Sequence, residues 1–200
     1  MASIIYTYNG GVYVNITNKC PCRCLFCIRA NGNGLGDAES LWHTSEPTQE
    51  EIIKALSSFD FSPFKEVVFC GYGEPFCALD KLIAACKFIK DNLDIKIRIN
   101  TNGLGDLING KQTAEMIAPF IDSISISLNA PTPELYTRVT RPIYNGEDAF
   151  AAMLDFAKRC KQLVPEVTLT VVDVIHKEDI ELCEGLCNEI GIPLRVRQYD

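Results

Sequence analysis

The sequence predicts an α/β fold, a partial (βα)6 TIM-like barrel with parallel strands and an open lumen. Short segments rich in β-branched residues alternate along the chain with helical patterns, as in parallel sheets joined by right-handed crossovers. The predicted strands are amphipathic, and six of them are too few to close an eight-stranded barrel. The 200 residues suffice for one domain with a large core, so the predicted domain is residues 1–200.

The elements follow one another in strand–helix pairs. A first strand at residues 12–17 precedes a helix at 48–58, which begins with the N-cap residue Thr48 after Pro47. The next pairs are strand 66–70 with helix 79–93, strand 95–100 with the short helix 113–118, strand 122–129 with helix 146–164, and strand 166–174 with helix 178–190. A sixth strand at 193–198 ends the series.

The predicted strands have one apolar and one polar face. In the third strand, Ile95, Ile97 and Ile99 alternate with polar residues, and the fourth and fifth strands repeat this pattern. A doubly wound sheet is covered by helices on both faces, so its strands are apolar throughout, which these are not. We therefore expect the apolar faces to pack on helices and the polar faces to line a lumen that can hold a polar ligand.

The overall charge and the apolar pattern exclude several classes of partner. A net charge of −7 argues against extensive nucleic-acid binding, which normally requires a basic face. No apolar stretch reaches membrane length, so no membrane association is expected. The first residues lack a basic segment followed by an apolar one, so no secretory signal is visible and a cytoplasmic location is expected.

Cysteine is unusually frequent, with ten in the chain. Without an export signal, metal binding or catalysis is a stronger interpretation than a disulfide framework. Cys20, Cys24 and Cys27 lie in a loop at residues 18–28, directly after the first strand. Their Cys-x3-Cys-x2-Cys spacing lets one loop hold three corners of a [4Fe–4S] cluster and leaves one iron free to coordinate a substrate.

Two other uses of this loop stay open. A structural zinc site normally takes two ligand pairs, and no second Cys-x2-Cys or His-x3-His pair exists. A fully ligated cluster would need Cys22 as its fourth thiolate, but we expect this side chain to point outward. Cys160, Cys183 and Cys187 could hold an extra cluster, although buried thiols are the simpler interpretation.

A second motif, Gly71-Tyr72-Gly73-Glu74-Pro75, follows the second strand. With the Cys-x3-Cys-x-aromatic-Cys loop, it makes the chain resemble the radical S-adenosylmethionine (SAM) superfamily over nearly its whole length. Within that superfamily the chain is similar to the short proteins known as TatD-associated, named for their link to a metal-dependent nuclease family.

The resemblance implies a set of cofactor contacts. Cys20, Cys24 and Cys27 would ligate the cluster. The implied SAM-binding residues are Phe26 near the adenine, Gly71, Tyr72, Gly73, Glu74 and Pro75 at the methionine ammonium, Thr101 and Asn102 in the turn after the third strand, Ser127 and Asn129 at the ribose, and Arg141 at the carboxylate. Asn129 stands where many members of the superfamily have aspartate.

The resemblance also implies a reaction. A [4Fe–4S] cluster with an open iron would reductively cleave SAM to a 5′-deoxyadenosyl radical that acts on an unidentified substrate. The expected partners are a one-electron donor such as flavodoxin or ferredoxin and, through a functional link, a TatD-type nuclease. The alternative is a non-catalytic iron–sulfur module for electron transfer or redox sensing.

Two further features suggest roles around the substrate. The Gly/Asn-rich segment 29–46, which contains Trp42, is either a lid or a plain surface loop. Arg195 and Arg197 in the last strand either meet an anionic group of the substrate or pair with internal acids.

Overall fold

Seven strands form one sheet in which each strand pairs with its sequence neighbours. The computed structural model describes residues 2–199, so Met1 and Asp200 of the predicted domain lie outside the described residues. The strands are β1 (Ile5–Tyr8), β2 (Gly11–Val14), β3 (Glu66–Phe69), β4 (Lys96–Thr101), β5 (Ser123–Ser127), β6 (Glu166–Val172) and β7 (Leu194–Arg197). The pair β1–β2 is antiparallel and every later pair is parallel. Within residues 2–199 the first and last strands do not pair, so the barrel is open.

Helices connect each pair of parallel strands. They are α1 (Gln49–Ser58), α2 (Leu79–Asn92), α3 (Gly105–Asn109), α4 (Thr113–Ile117), α5 (Pro133–Thr140), α6 (Gly146–Leu163) and α7 (Lys177–Ile190). Strands β4 and β5 are joined through α3 and α4, and strands β5 and β6 through α5 and α6. The predicted partial barrel of alternating parallel strands and helices is therefore confirmed.

The apolar faces of the strands form the core beneath the helices. Ile97 and Ile99 of β4 and Ile124 and Ile126 of β5 are fully buried, together with apolar residues of α2 and α6. Their polar neighbours along the strands face the lumen. The alternation of side chains along each strand thus separates a packed outer face from a polar inner one.

The sheet begins earlier than predicted, because a hairpin precedes the first parallel strand. Asn9 and Gly10 both have positive φ (47° and 75°), as a type I′ turn requires, and they join β1 to β2. The predicted strand at 12–17 ends at Val14, beyond which the chain enters the cysteine loop. Helix α5 was not predicted, and its N-cap is Thr132, whose side chain accepts a hydrogen bond from the Leu135 amide.

The cysteines outside the loop at residues 18–28 are mostly core residues. Cys86, Cys160, Cys183 and Cys187 are buried free thiols. Burial raises the pKa of Cys160 to about 12 and that of Cys187 to about 11, so neither is an available thiolate near neutral pH. Among residues 2–199, no helix is both long and apolar enough to span a membrane.

Candidate metal and cofactor site

A cavity of about 210 Å³ opens at the carboxyl ends of the parallel strands, where α/β proteins place their ligands. The residues predicted from the sequence that line it are Cys20, Cys24, Phe26, Cys27, Gly71, Tyr72, Gly73, Glu74, Thr101, Asn102 and Ser127. A larger cleft of about 450 Å³, between Phe64 and Asp122, lies at the opposite ends of the strands and contains none of them. The topology therefore brings both sequence motifs to one cavity.

The cysteine loop is held from its outer side by the region after α5. The amide of Arg23 donates to the carbonyl of Thr140 over 3.0 Å, and the amide of Leu25 donates to that of Val139 over 2.9 Å. The amide of Ile143 donates to the carbonyl of Pro21 over 2.9 Å. These backbone bonds fix the loop on α5 and leave the thiols of Cys20, Cys24 and Cys27 on the cavity side.

Cys22 does not point outward, contrary to expectation. Cys22 and Pro142 form an isolated antiparallel β-bridge. This bridge places the side chain of Arg23 in solvent and that of Cys22 inside the protein. Cys22 is 2% exposed, lies within hydrogen-bond distance of the thiols of Cys20 and Cys24, and accepts a 3.7 Å contact from Nδ2 of Asn102. It lies beneath the loop, outside the lining of the cavity.

The arrangement of the thiols favours their metal-binding form. The pKa of Cys20 falls to about 6, because the Cys22 thiol donates a hydrogen bond to it and this outweighs burial. The same donor lowers the pKa of Cys24. Thiolates are the form that ligates iron, so the chemistry of this donor set fits an iron–sulfur cluster. Within residues 2–199, no three Cys, His, Asp or Glu side chains converge as they would around a single metal ion.

Arg29 supports the third cysteine, a role that the sequence analysis missed. Its Nε donates to Sγ of Cys27 over 3.4 Å, and its Nη2 donates to the carbonyl of Cys22 over 3.3 Å. The guanidinium lies 5.6 Å from the ring centre of Trp42, a cation–π distance. The only signal in the sequence was a positive charge two residues after the last cysteine of the motif.

The segment at residues 29–46 packs against the rim of the cavity. Leu41 is fully buried, and its carbonyl accepts a 2.7 Å hydrogen bond from Nδ2 of Asn15. Tyr72 donates through its hydroxyl to the carbonyl of Gly32 over 2.8 Å, and its ring meets Trp42 edge-on at 5.0 Å. The segment thus covers Tyr72 on one side of the mouth of the cavity. That the segment moves as a lid stays a prediction.

Glycines let the second motif approach the end of β2. A β-carbon at Gly71 would lie 2.2 Å from Oδ1 of Asn15, and one at Gly73 would lie 2.1 Å from the carbonyl oxygen of Thr17. Neither distance allows a side chain. The motif therefore lies directly against the chain that leads into the cysteine loop.

Glu74 joins three segments that surround the cavity. Its carboxylate accepts hydrogen bonds from Oγ1 of Thr101 over 2.6 Å and from the amides of Asn102 and Phe76. Its own amide donates to the carbonyl of Lys19 over 2.8 Å. Burial, and then the charge of Cys20, raise the pKa of Glu74 to about 8 despite these donors.

The wall of the cavity formed by β4 to β7 is polar. It is lined by Asn100, Ser125, Thr170, Arg195 and Arg197. The carbonyl oxygen of the Asn100 side chain is buried and has no hydrogen-bond partner within residues 2–199, so it can accept a hydrogen bond from a ligand. Of the residues in this wall, the sequence predicts only the two arginines as ligand contacts.

Three predicted contacts lie outside the cavity surface. Pro75 is buried at the start of a 3₁₀ turn behind Glu74. Asn129 is buried beyond the end of β5 with φ of 59°, and its amide donates to the carbonyl of Thr170. Arg141 ends α5 with φ of 46° and is exposed. The geometry does not bring these three side chains to the cysteines, and their roles toward SAM stay predictions.

A family model described as the radical SAM superfamily matches residues 14–189. The chain belongs to the radical SAM superfamily. It is 28% identical over 193 residues to the dual-specificity RNA methyltransferase RlmN of Nautilia profundicola, covering 92% of this chain and 52% of that protein. It is 28% identical over 131 residues to the GTP 3′,8-cyclase of Limosilactobacillus fermentum, covering 65% of this chain and 36% of that protein. The chain thus spans about half or less of the length of these curated relatives.

Solved structures share the fold. Streptococcus suis SuiB bound to S-adenosylmethionine superposes with a TM-score of 0.66 at 20% identity, covering 94% of this chain and 38% of that one. The anSMEcpe structure with bound AdoMet gives a TM-score of 0.65 at 17% identity, covering 94% of this chain and 49% of that one. Both likenesses support the open, partial barrel described above.

Proposed function

We propose that the chain is a radical SAM enzyme that holds a [4Fe–4S] cluster through Cys20, Cys24 and Cys27 and cleaves SAM reductively at the iron that these thiolates leave open. The observation that carries this proposal is that the three thiols share one cavity with the segment from Gly71 to Glu74. When bound, these cofactors would supply a one-electron reduction of the SAM sulfonium, giving methionine and a 5′-deoxyadenosyl radical that takes a hydrogen atom from a substrate.

The side chains around the cavity would bind and orient these groups. Phe26 offers an aromatic face next to Cys27, where it can pack against the adenine. The backbone of Gly71 and Gly73 is accessible from the cavity and can contact the amino-acid end of SAM. Thr101 and Asn102, held by Glu74, and Ser127 supply polar contacts along the strand ends.

Water must be kept from a radical, and the covering segment at 29–46 contributes to this. Trp42 and Tyr72 form an aromatic contact at the rim, and Arg29 packs on Trp42 while holding Cys27. We propose that this segment closes over bound SAM and substrate. Trimming it would then increase SAM cleavage that is uncoupled from substrate turnover.

The deciding experiment is anaerobic reconstitution of the full chain. Iron and sulfide are counted per chain, and the protein is then reduced with dithionite in the presence of SAM and assayed for 5′-deoxyadenosine. The proposal expects a [4Fe–4S] spectrum that changes when SAM is added, together with 5′-deoxyadenosine. The proposal is contradicted if the protein binds zinc, or if it holds a cluster whose spectrum does not change when SAM is added.

One observation favours the alternative of a non-catalytic iron–sulfur module. Cys22 is close enough to Cys20 and Cys24 to exchange hydrogen bonds with them, so a fourth thiol is present at the loop. A cluster ligated by all four thiolates would have no open iron. The radical SAM proposal is preferred because Cys22 does not line the cavity where the open iron would face SAM.

We also propose where a one-electron donor such as flavodoxin or ferredoxin binds. The docking patch consists of Arg23 and Leu25 on the cysteine loop and Arg138 and Ile143 beside it. Leu25 is 52% exposed and Ile143 is 70% exposed. Among the described residues, the arginines that form ion pairs are Arg98 and Arg159, so Arg23 and Arg138 are left for a partner. An acidic redox protein complements this patch and would approach Cys24 closely.

The finer position of the chain within the superfamily is a proposal from resemblance. We propose that it is one of the short TatD-associated proteins and that it acts in concert with a TatD-type nuclease. Coexpression of the two proteins, with and without an intact cysteine loop, tests this link. A nuclease product that is the same in both cases contradicts it.

A further inference from the structure

We propose that the wall of the cavity on β7 is an anion subsite in which Arg195 and Arg197 bind a phosphate or carboxylate group of the substrate. This inference rests on the proposed function, because it assigns part of the same cavity to the substrate. It names the substrate's chemical class, a small polar molecule or group that carries an oxyanion.

The strand register directs both arginines into the cavity. Arg195 pairs with Thr170 and Arg197 pairs with Val172 on the neighbouring strand β6. All four of these residues line the same cavity as the cysteines. The intervening Val196 does not line it, as the alternation of side chains along a strand requires. The two guanidiniums therefore flank one part of the lumen.

Among residues 2–199, neither guanidinium is in direct contact with an acid, although Glu66 acts on Arg195 at longer range. Glu66 pairs with Arg98, and neither Arg195 nor Arg197 forms an ion pair with a carboxylate of residues 2–199. The carboxylate of Glu74 is occupied by donors from Thr101, Asn102 and Phe76. Both arginines are exposed at the open edge of the sheet, so their donors are accessible to an oxyanion that enters the cavity.

The electrostatics of the wall agree with this geometry. Burial, and then repulsion from Arg98 and Arg197, lower the pKa of Arg195. Among residues 2–199, the Arg195 side chain donates one hydrogen bond, from Nη2 to Oγ of Ser125 over 3.2 Å, which leaves its other donors available to a ligand. An anion placed between the two guanidiniums would replace repulsion with two charge-assisted interactions.

Neutral groups beside the arginines define the rest of the ligand. The hydroxyls of Ser125 and Thr170 can donate to an oxyanion or accept from a substrate hydroxyl. The unpartnered oxygen of Asn100 requires a donor, so the substrate should carry an N–H or O–H group near its anionic end. This combination favours a polar substrate that carries an oxyanion over an apolar one.

The carboxylate of SAM is the competing occupant of the two arginines. It is disfavoured because the proposed SAM contacts, Gly71 to Glu74 and Thr101, follow β3 and β4, whereas the arginines lie three strands further along the sheet, on β7. The lining of the cavity extends across this distance, so the proposed SAM contacts and the two arginines form different parts of it. Anion titration with and without SAM separates the two occupants.

The test is calorimetric titration of the reconstituted full chain with inorganic phosphate and, in a second series, with malonate. Both series are run at constant ionic strength, once without SAM and once with saturating SAM. The variants are Arg195→Gln/Arg197→Gln, the charge-conserving Arg195→Lys, and the control Lys87→Gln, which removes an exposed cation on α2 outside the cavity. Circular dichroism verifies that each variant is folded. The anion that binds with the higher affinity identifies the substrate group as phosphate or carboxylate.

We expect one anion to bind per chain at millimolar concentration in the presence of SAM. The double variant should lose at least about tenfold in affinity, Arg195→Lys should lose less, and Lys87→Gln should bind as the wild type does. Equal binding by the double variant, no binding by the wild type, or complete displacement of the anion by SAM would each overturn the subsite. Failure of the wild type to form 5′-deoxyadenosine refutes the proposed function instead, and the anion titration remains decisive for the subsite.

Discussion

Arg29 donates a hydrogen bond from Nε to Sγ of Cys27 over 3.4 Å. This places a permanent positive charge beside one of the three proposed cluster ligands. A nearby cation favours the reduced, more negative state of a cluster. Arg29→Gln should therefore lower the midpoint potential by roughly 40 mV, the equivalent of about 1 kcal/mol for a screened charge at this distance. An anaerobic redox titration followed by electron paramagnetic resonance measures the shift.

Arg23→Gln is the matched control for this change. Arg23 lies in the same loop but is exposed, and its backbone rather than its side chain is bonded to α5. An equal shift in both variants would mean that the overall charge of the surface, and not the contact with Cys27, sets the potential.

The inward orientation of Cys22 makes its substitution informative. Cys22→Ala should retain iron and sulfide at the wild-type ratio and keep the spectral response to SAM, because three thiolates suffice. Cys24→Ala should lose the cluster. Iron and sulfide analysis after anaerobic reconstitution checks both variants. Loss of the cluster in Cys22→Ala would instead favour the four-thiolate, non-catalytic module.

The buried carboxyl of Glu74 predicts a pH dependence of stability. Its pKa rises from 4.5 to about 8 on folding, so between these values the folded chain holds a proton that the unfolded chain has released. The free energy of unfolding should therefore decrease with rising pH across this window, by up to about 1.4 kcal/mol per pH unit. The variant Glu74→Gln has no ionisable group at this position, so its free energy of unfolding lacks this pH dependence.

Urea unfolding of the metal-free chain at several pH values compares Glu74→Gln with the wild type. The stability difference should move in favour of the variant as pH increases from 4.5 to about 8. A constant difference would mean that the hydrogen bonds from Thr101 and Asn102 keep the carboxyl ionised throughout.

Two glycine substitutions should have opposite effects. Gly73→Ala brings a β-carbon to 2.1 Å from the carbonyl oxygen of Thr17, so the backbone must shift, at a cost of about 2 kcal/mol or more. Gly185→Ala in α7 meets no atom within 4 Å and should gain about 0.5–1 kcal/mol from helix propensity. Thermal unfolding measures both changes, and destabilisation by Gly185→Ala would contradict the open space found around Gly185.

The docking patch can be tested without knowing the substrate. Ile143→Asp and Arg138→Glu should slow cluster reduction by reduced flavodoxin about tenfold at low salt, since both place negative charge against an acidic donor. Leu182→Asp is the control, because Leu182 is similarly exposed (59%) but lies on α7. Stopped-flow absorbance gives the rates, and reduction by dithionite monitors cluster integrity. Equal rates in all three variants would place the donor elsewhere.

The sequence was sufficient to predict the parallel strands and the shared location of the two motifs. The strand around Ile97 and Ile99 was readable from its alternation alone, and its apolar residues are buried as expected. Residues that follow different parallel strands meet at one end of the sheet whatever the details of the loops. Cys20 and Gly71 therefore line one cavity although fifty residues separate them.

The remaining features depend on contacts that no local pattern reveals. The direction of Cys22 is set by its bridge to Pro142, and the position of Arg141 by a left-handed backbone at the end of α5. The first hairpin is different, because the Asn9–Gly10 pair between two β-branched and aromatic segments is itself a turn signal. Strand β1 could therefore have been predicted from the sequence.

The backbone bonds that join Arg23 and Leu25 to Thr140 and Val139 also determine the order of events during biosynthesis. The cysteine loop emerges early, but the helix that fixes its shape belongs to the second half of the chain. Until that helix has left the ribosome and folded, the thiols have no rigid scaffold and remain open to oxidation. We therefore expect any metal centre to be loaded only after strands β1 to β5 and helix α5 have been made.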